Sequence, residues 1–106
     1  MGAWVPDVEL PGGLDELRGP IGGIVYLPMR VSPNAPFPEL VEWDIDHVER
    51  RICLYEIVLR DAELRDLCEL VNGRELVALW DSLYLPVHVR QAWQPLIDSA
   101  RAGWPN

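Results

Sequence analysis

The chain has no lysine: all nine basic residues are arginine, and they stand against seventeen acids for a net charge of −8 over 106 residues. An acidic chain lacks the phosphate attraction that drives non-specific nucleic-acid binding. Long apolar runs are missing too. None approaches the ~20 residues needed to span a bilayer. The opening MGAWVPDVEL has neither a basic region nor an apolar stretch of the kind a secretory leader carries, so the chain reads as cytoplasmic. Cysteine is scarce, with only Cys53 and Cys68. Both fall on helical patterns and read as reduced, half-buried thiols, and their pairing is left open.

Close metal-ligand spacing is also absent. His47, Cys53, Cys68 and His88 contain no C-x-x-C or H-x-x-x-H pair, so no metal and no cofactor is expected. No local motif supports a cysteine–histidine nucleophile. The one carboxylate pair, Asp44-x-Asp46, lacks the glycine–serine turn that precedes such pairs in nucleotide-transferring enzymes. It reads more simply as a helix cap. The chain carries no recognisable catalytic set, and the expectation is that it is not an enzyme.

What is present is one domain's worth of chain, 1–106, in three parts. Residues 1–20 hold Pro6, Pro11, Gly12, Gly13, Gly19 and Pro20, which predicts an extended arm with one turn near Leu14. Residues 21–43 form a strand layer. In IGGIVYLPMRV, Ile24 and Tyr26 alternate with Val25 and Leu27, and ELVEW supplies a second strand across the proline-rich loop SPNAPFP. Residues 46–102 are helical. Asp46, with Glu49 three residues on, predicts a capping box before a stripe of Val48, Ile52, Tyr55 and Leu59, widened by Leu54 and Val58. Leu64, Leu67, Cys68 and Val71 mark a second helix, which Asn72–Gly73 should close with a left-handed cap.

Two further helices, 74–84 and 86–100, flank Leu85–Pro86. Pro95 predicts a kink in the last one. The fold class is therefore α+β and mostly helical: an extended arm and short β-hairpin followed by a compact four-helix part.

The stretch LWDSLYLPVHVRQAW, residues 79–93, has the outline of a helix-turn-helix. His88, Arg90, Gln91 and Gln94 are residue types that read bases. Yet Trp80 lies on the Leu76–Leu79–Leu83 stripe and Trp93 on the Val89–Leu96–Ile97 stripe, so both are expected to be core residues across the turn. Arg90 is expected to stack on an indole or pair with a buried acid. The remaining arginines suit helix-surface pairs, Glu56 with Arg60 and Asp61 with Arg65.

Charge is uneven. Residues 1–46 hold eight acids and two arginines, and residues 47–106 hold nine acids and seven arginines. The acidic half suits a basic partner, with Trp4, Trp43 or Trp104 as anchors.

The order L-R-G-P (17–20), V-x-L-P (25–28), R-R-x-x-L-Y-E-x-V-L-R (50–60), L-x-x-L-W (76–80) and L-P-x-x-V-R-x-A-W (85–93) resembles small actinobacterial proteins encoded beside nucleotidyltransferase-like toxins of the AbiEii type. The resemblance implies an antitoxin-like or regulatory protein and carries no catalytic residues. This chain departs from it in the acidic VEWDID, where that family has a basic or neutral loop. The expectation is a non-enzymatic interaction module, an antitoxin-type neutraliser of a cognate protein. The alternative is a small DNA-binding regulator using the last two helices. The residues expected to meet a partner are Trp4, Trp43, Asp44, Asp46, His88, Arg90, Gln91 and Gln94.

Overall fold

The computed structural model describes residues 8–27 and 42–103. Along the chain come a 3-10 turn (Leu14–Glu16), strand β1 (Ile24–Tyr26), strand β2 (Glu42–Asp44), and helices α1 (Val48–Asp61), α2 (Leu64–Leu70) and α3 (Gly73–Leu79). A second 3-10 turn (Trp80–Ser82) leads to helix α4 (Val87–Gly103). The α+β, mostly helical class expected from periodicity is the class observed. The arm residues 1–7, the loop 28–41 and the segment 104–106 lie outside the described residues, and with them Trp4 and Trp104.

Helix α1 turns Leu54, Tyr55, Val58 and Leu59 inward, and all four are buried. These positions recur at the helical spacing that puts i, i+1, i+4 and i+5 on one side. Val48, expected on this stripe, stays exposed. Burial of each such apolar side chain contributes about 1.5–3 kcal/mol. Two residues separate α1 from α2. The Asp66 carboxylate accepts the Glu63 amide at 3.2 Å, which satisfies a free donor at the start of α2.

The expected glycine cap after α2 is not formed. Asn72 is instead the N-cap of α3: its backbone is extended, and its Oδ1 accepts the Glu75 amide at 3.1 Å. Gly73 does not take a positive φ. It is glycine for a different reason, since a Cβ there would lie 2.1 Å from the Leu14 carbonyl oxygen. An asparagine–glycine pair reads the same locally in both roles, and the neighbour that decides between them is 59 residues away in sequence.

That neighbour is the arm. The turn expected near Leu14 is a 3-10 turn, and it packs on α3 and α4 with Leu14 and Leu17 buried. Backbone bonds join the arm to the α2–α3 junction: Arg18 N–H to Cys68 O at 2.9 Å, Gly19 N–H to Val71 O at 2.9 Å, and Gly73 N–H to Leu17 O at 3.0 Å. The Asn72 side-chain amide adds a bond to Gly19 O at 3.2 Å, and the Asn72 N–H donates to the Tyr55 hydroxyl at 3.1 Å. One residue thus ties the arm, α1 and α3 together.

β1 and β2 pair antiparallel, with Ile24 opposite Asp44, Val25 opposite Trp43 and Tyr26 opposite Glu42. β2 reaches Asp44, one residue beyond the expected layer. α1 begins at Val48 rather than at 46 and has no side-chain cap. Asp46 is drawn away from that role. Its carboxylate accepts the Gly23 amide at 2.9 Å, while Ile45 N–H donates to Gly23 O at 2.9 Å. Gly23 has φ +86, a left-handed value that glycine adopts without strain. Asp46 therefore closes the hairpin end instead of starting the helix.

The last two helices also differ from their expected limits. α3 stops at Leu79, and Trp80–Ser82 tighten into the 3-10 turn, with Leu83 N–H on Trp80 O at 3.2 Å. The early stop lets Leu83 and Leu85 both turn into the core. α4 runs through Pro95 to Gly103, with Pro95 on the exposed side.

Candidate functional site

Two places in the fold carry the residues that sequence reasoning singled out. The first is the α3–α4 corner. Trp80 and Trp93 are both 0% exposed, as expected. Arg90 turns back onto this corner, with its guanidinium 4.8 Å from the centre of the Trp80 ring. It donates to the Leu83 carbonyl and, at 3.5 Å, to the Trp80 carbonyl. Both oxygens sit where the chain leaves helical geometry, and the Trp80 oxygen also accepts the Leu83 N–H. Gln94 accepts the Trp80 indole N–H at 3.1 Å and donates to Asp98 at 2.9 Å. Arg90 and Gln94 are thus engaged within the fold.

Gln91 is exposed. His88 is half-buried and lines a small cleft of about 130 Å³ with Val8, Glu9, Leu59 and Arg60. Tyr84 and Val87 project from the corner at 88% and 70% exposure. The Tyr84 amide is held by Glu56, so Glu56 does not make the expected pair with Arg60. Arg60 pairs with Asp61 at 3.2 Å and Arg65 with Glu63 at 3.0 Å, in place of the i,i+4 pairs. Such exposed pairs contribute little.

The second place is the hairpin. In an antiparallel ladder, directly opposed residues share a face and successive residues alternate. Val25 is buried, and Trp43 opposite it packs half-buried against the core. Trp43 is therefore a structural residue of the inner face, and its indole nitrogen is covered. The outer face shows Ile24 at 56% and Tyr26 at 60% exposure, with Asp44 and Glu42 beside them. Asp44 Oδ1 accepts the Asp46 amide at 3.2 Å, and its other oxygen lies 3.7 Å from His47 Nε2. Asp44 and Asp46 thus each bind a backbone amide at the hairpin end.

Arg51 anchors this end to the core. Its Nε–H donates to Ile45 O at 3.0 Å and its Nη1 reaches Glu75 at 2.5 Å. Both side chains are largely covered, which makes this an internal tie between α1 and α3 rather than the surface residue the helix pattern implied.

Among the described residues, no three histidine, cysteine, aspartate or glutamate side chains gather in a metal-holding group. Cys53 and Cys68 are free thiols, and Cys53 is exposed. Burial pushes the Cys68 thiol above its ordinary value, with the Glu16 and Glu69 carboxylates acting in the same direction. That is the reverse of the shift an activated thiolate needs. No described helix is long and apolar enough to cross a membrane.

Sequence reasoning missed Ile24, Tyr26 and Glu42 as surface candidates. The period-2 alternation was visible in GGIVYL, but it does not say which face turns outward. No family model, curated protein or solved structure matches this chain.

Proposed function

We propose that this protein is a non-enzymatic interaction module that binds a cognate protein, in the manner of an antitoxin-type neutraliser. The observation that carries the reading is the row of large apolar side chains left in solvent at the hairpin end. Ile24 and Tyr26 are exposed on the outer face of β1, and Ile21 before it and Val48 at the start of α1 are exposed too. Clusters of exposed apolar groups rimmed by polar ones mark interaction sites, and tyrosine is favoured at interface hot spots. The motif order from Leu17 to Trp93, which resembles that of proteins encoded beside toxin genes, points in the same direction.

The test is co-expression of the tagged chain with the product of the adjacent gene, followed by purification in moderate salt. A stoichiometric complex is expected. The reading fails if the two elute separately and the chain instead shifts DNA from its own promoter at low salt.

A further inference from the structure

We infer that the outer face of the hairpin receives a protein segment in which aliphatic side chains alternate with arginine or lysine. The inference rests on the interaction reading above and names the chemistry of the partner. The register supplies it. Ile24 opposite Asp44 and Tyr26 opposite Glu42 make a block with an apolar row along β1 and a carboxylate row along β2. Ile21, before β1, and Val48, at the start of α1, are exposed as well. Asp46 and Glu49 add two exposed carboxylates soon after β2 in the chain. The described residues among 21–49 hold four carboxylates and no arginine.

The carboxylates are also held in place. Asp44 and Asp46 each bind a backbone amide of the hairpin end, at 3.2 and 2.9 Å. Their charge is presented by the backbone rather than by free rotamers, which lowers the entropy lost on pairing. Glu42 has no ion-pair partner among the described residues. A cationic segment gains from every one of these groups, whereas a nucleic acid or an acidic peptide is repelled. The apolar row supplies the burial that a purely electrostatic contact lacks.

The corner exposes Tyr84 and Val87 without a comparable charge row, since Asp81 there already pairs with Arg101 at 3.2 Å. It defines no partner chemistry.

The experiment titrates the isotope-labelled full chain with three blocked peptides at low salt, read by amide chemical shifts. One alternates arginine and valine, one arginine and serine, and one glutamate and valine. The arginine–valine peptide is expected to shift amides in 24–26 and 42–44. The arginine–serine peptide should bind at least about tenfold more weakly, and the glutamate–valine peptide should not bind. Glu42→Arg should weaken the arginine–valine peptide by about tenfold, while Tyr84→Ala should leave it unchanged. Shifts centred on 84–91, equal binding of the two arginine peptides, or no binding at all would each overturn the inference. A cognate complex that survives Ile24→Thr with Tyr26→Thr would also overturn it while leaving the interaction reading intact.

Discussion

The hairpin end and the α3–α4 corner both hold large apolar side chains in solvent, but they differ in what their polar groups are doing. At the corner, Arg90 caps the Leu83 and Trp80 carbonyls and lies over the Trp80 ring, and Gln94 holds the indole N–H. Its polar side chains complete a turn between two helices. At the hairpin, Asp44 and Asp46 each hold a backbone amide with one oxygen, the other Asp44 oxygen lies 3.7 Å from the exposed His47, and Glu42 has no ion-pair partner among the described residues. Polar residue types near an apolar turn therefore say little until their hydrogen bonds are traced. The same residues, Arg and Gln, would serve a recognition helix or a tight corner equally well.

The sharpest way to break this contrast is to remove a corner tryptophan. Trp93→Ala empties a fully buried site and should cost about 3–5 kcal/mol, a large part of the stability of a domain this size. Urea denaturation reads the loss directly. A cost below about 1 kcal/mol would place the corner on the surface after all.

A smaller effect is expected where the arm meets α3. Gly73→Ala drives a Cβ against the Leu14 carbonyl and should cost about 1–3 kcal/mol. Hydrogen exchange at the Arg18, Gly19 and Gly73 amides should quicken as the arm lifts. Unchanged exchange at those amides would mean the arm is not held by this junction.

Tyr55 gives a pH test of the same core. Burial raises its hydroxyl above the ordinary 10.0, and Glu75 adds to the rise, against the opposing Asn72 N–H and Arg51. The folded state therefore keeps the proton longer than the unfolded chain. This contribution is present below about pH 10 and fades as pH climbs through the raised folded value. Tyr55→Phe should cost about 1–2 kcal/mol at neutral pH, because the Asn72 amide loses its acceptor. The variant should also show a shallower loss of stability than the wild type as pH rises above about 10.

The helices and the core were largely legible in the sequence. The stripe carrying Leu54, Tyr55, Val58 and Leu59 and the burial of Trp80 and Trp93 follow from a period of 3.6, a local property. The hairpin was legible from its alternation, though its limits shifted by a residue or more. What escaped was set by distant partners. Asp46 looks like a helix cap until Gly23, 23 residues earlier, offers it an amide. Asn72–Gly73 looks like a helix stop until Leu14 and Gly19 arrive from the arm. Of the surface proposed here, sequence reasoning named Asp44 and Asp46. Its apolar half was not named, because alternation fixes two faces without saying which one the core will cover.

The most direct measurement compares the thermal unfolding of two variants made side by side, Arg90→Ala at the corner and Ile24→Thr with Tyr26→Thr on the hairpin. Arg90→Ala takes the guanidinium from the Leu83 carbonyl and from the face of the Trp80 ring and should cost about 1.5–3 kcal/mol, which at roughly 4–8 °C per kcal/mol lowers the Tm by several degrees or more. The threonines keep strand propensity on an exposed face, and each should stay within about 0.5 kcal/mol of wild type. If Arg90→Ala melts with the wild type while the threonine pair unfolds early, the assignments are reversed: the corner would be the free surface and the hairpin face part of the fold.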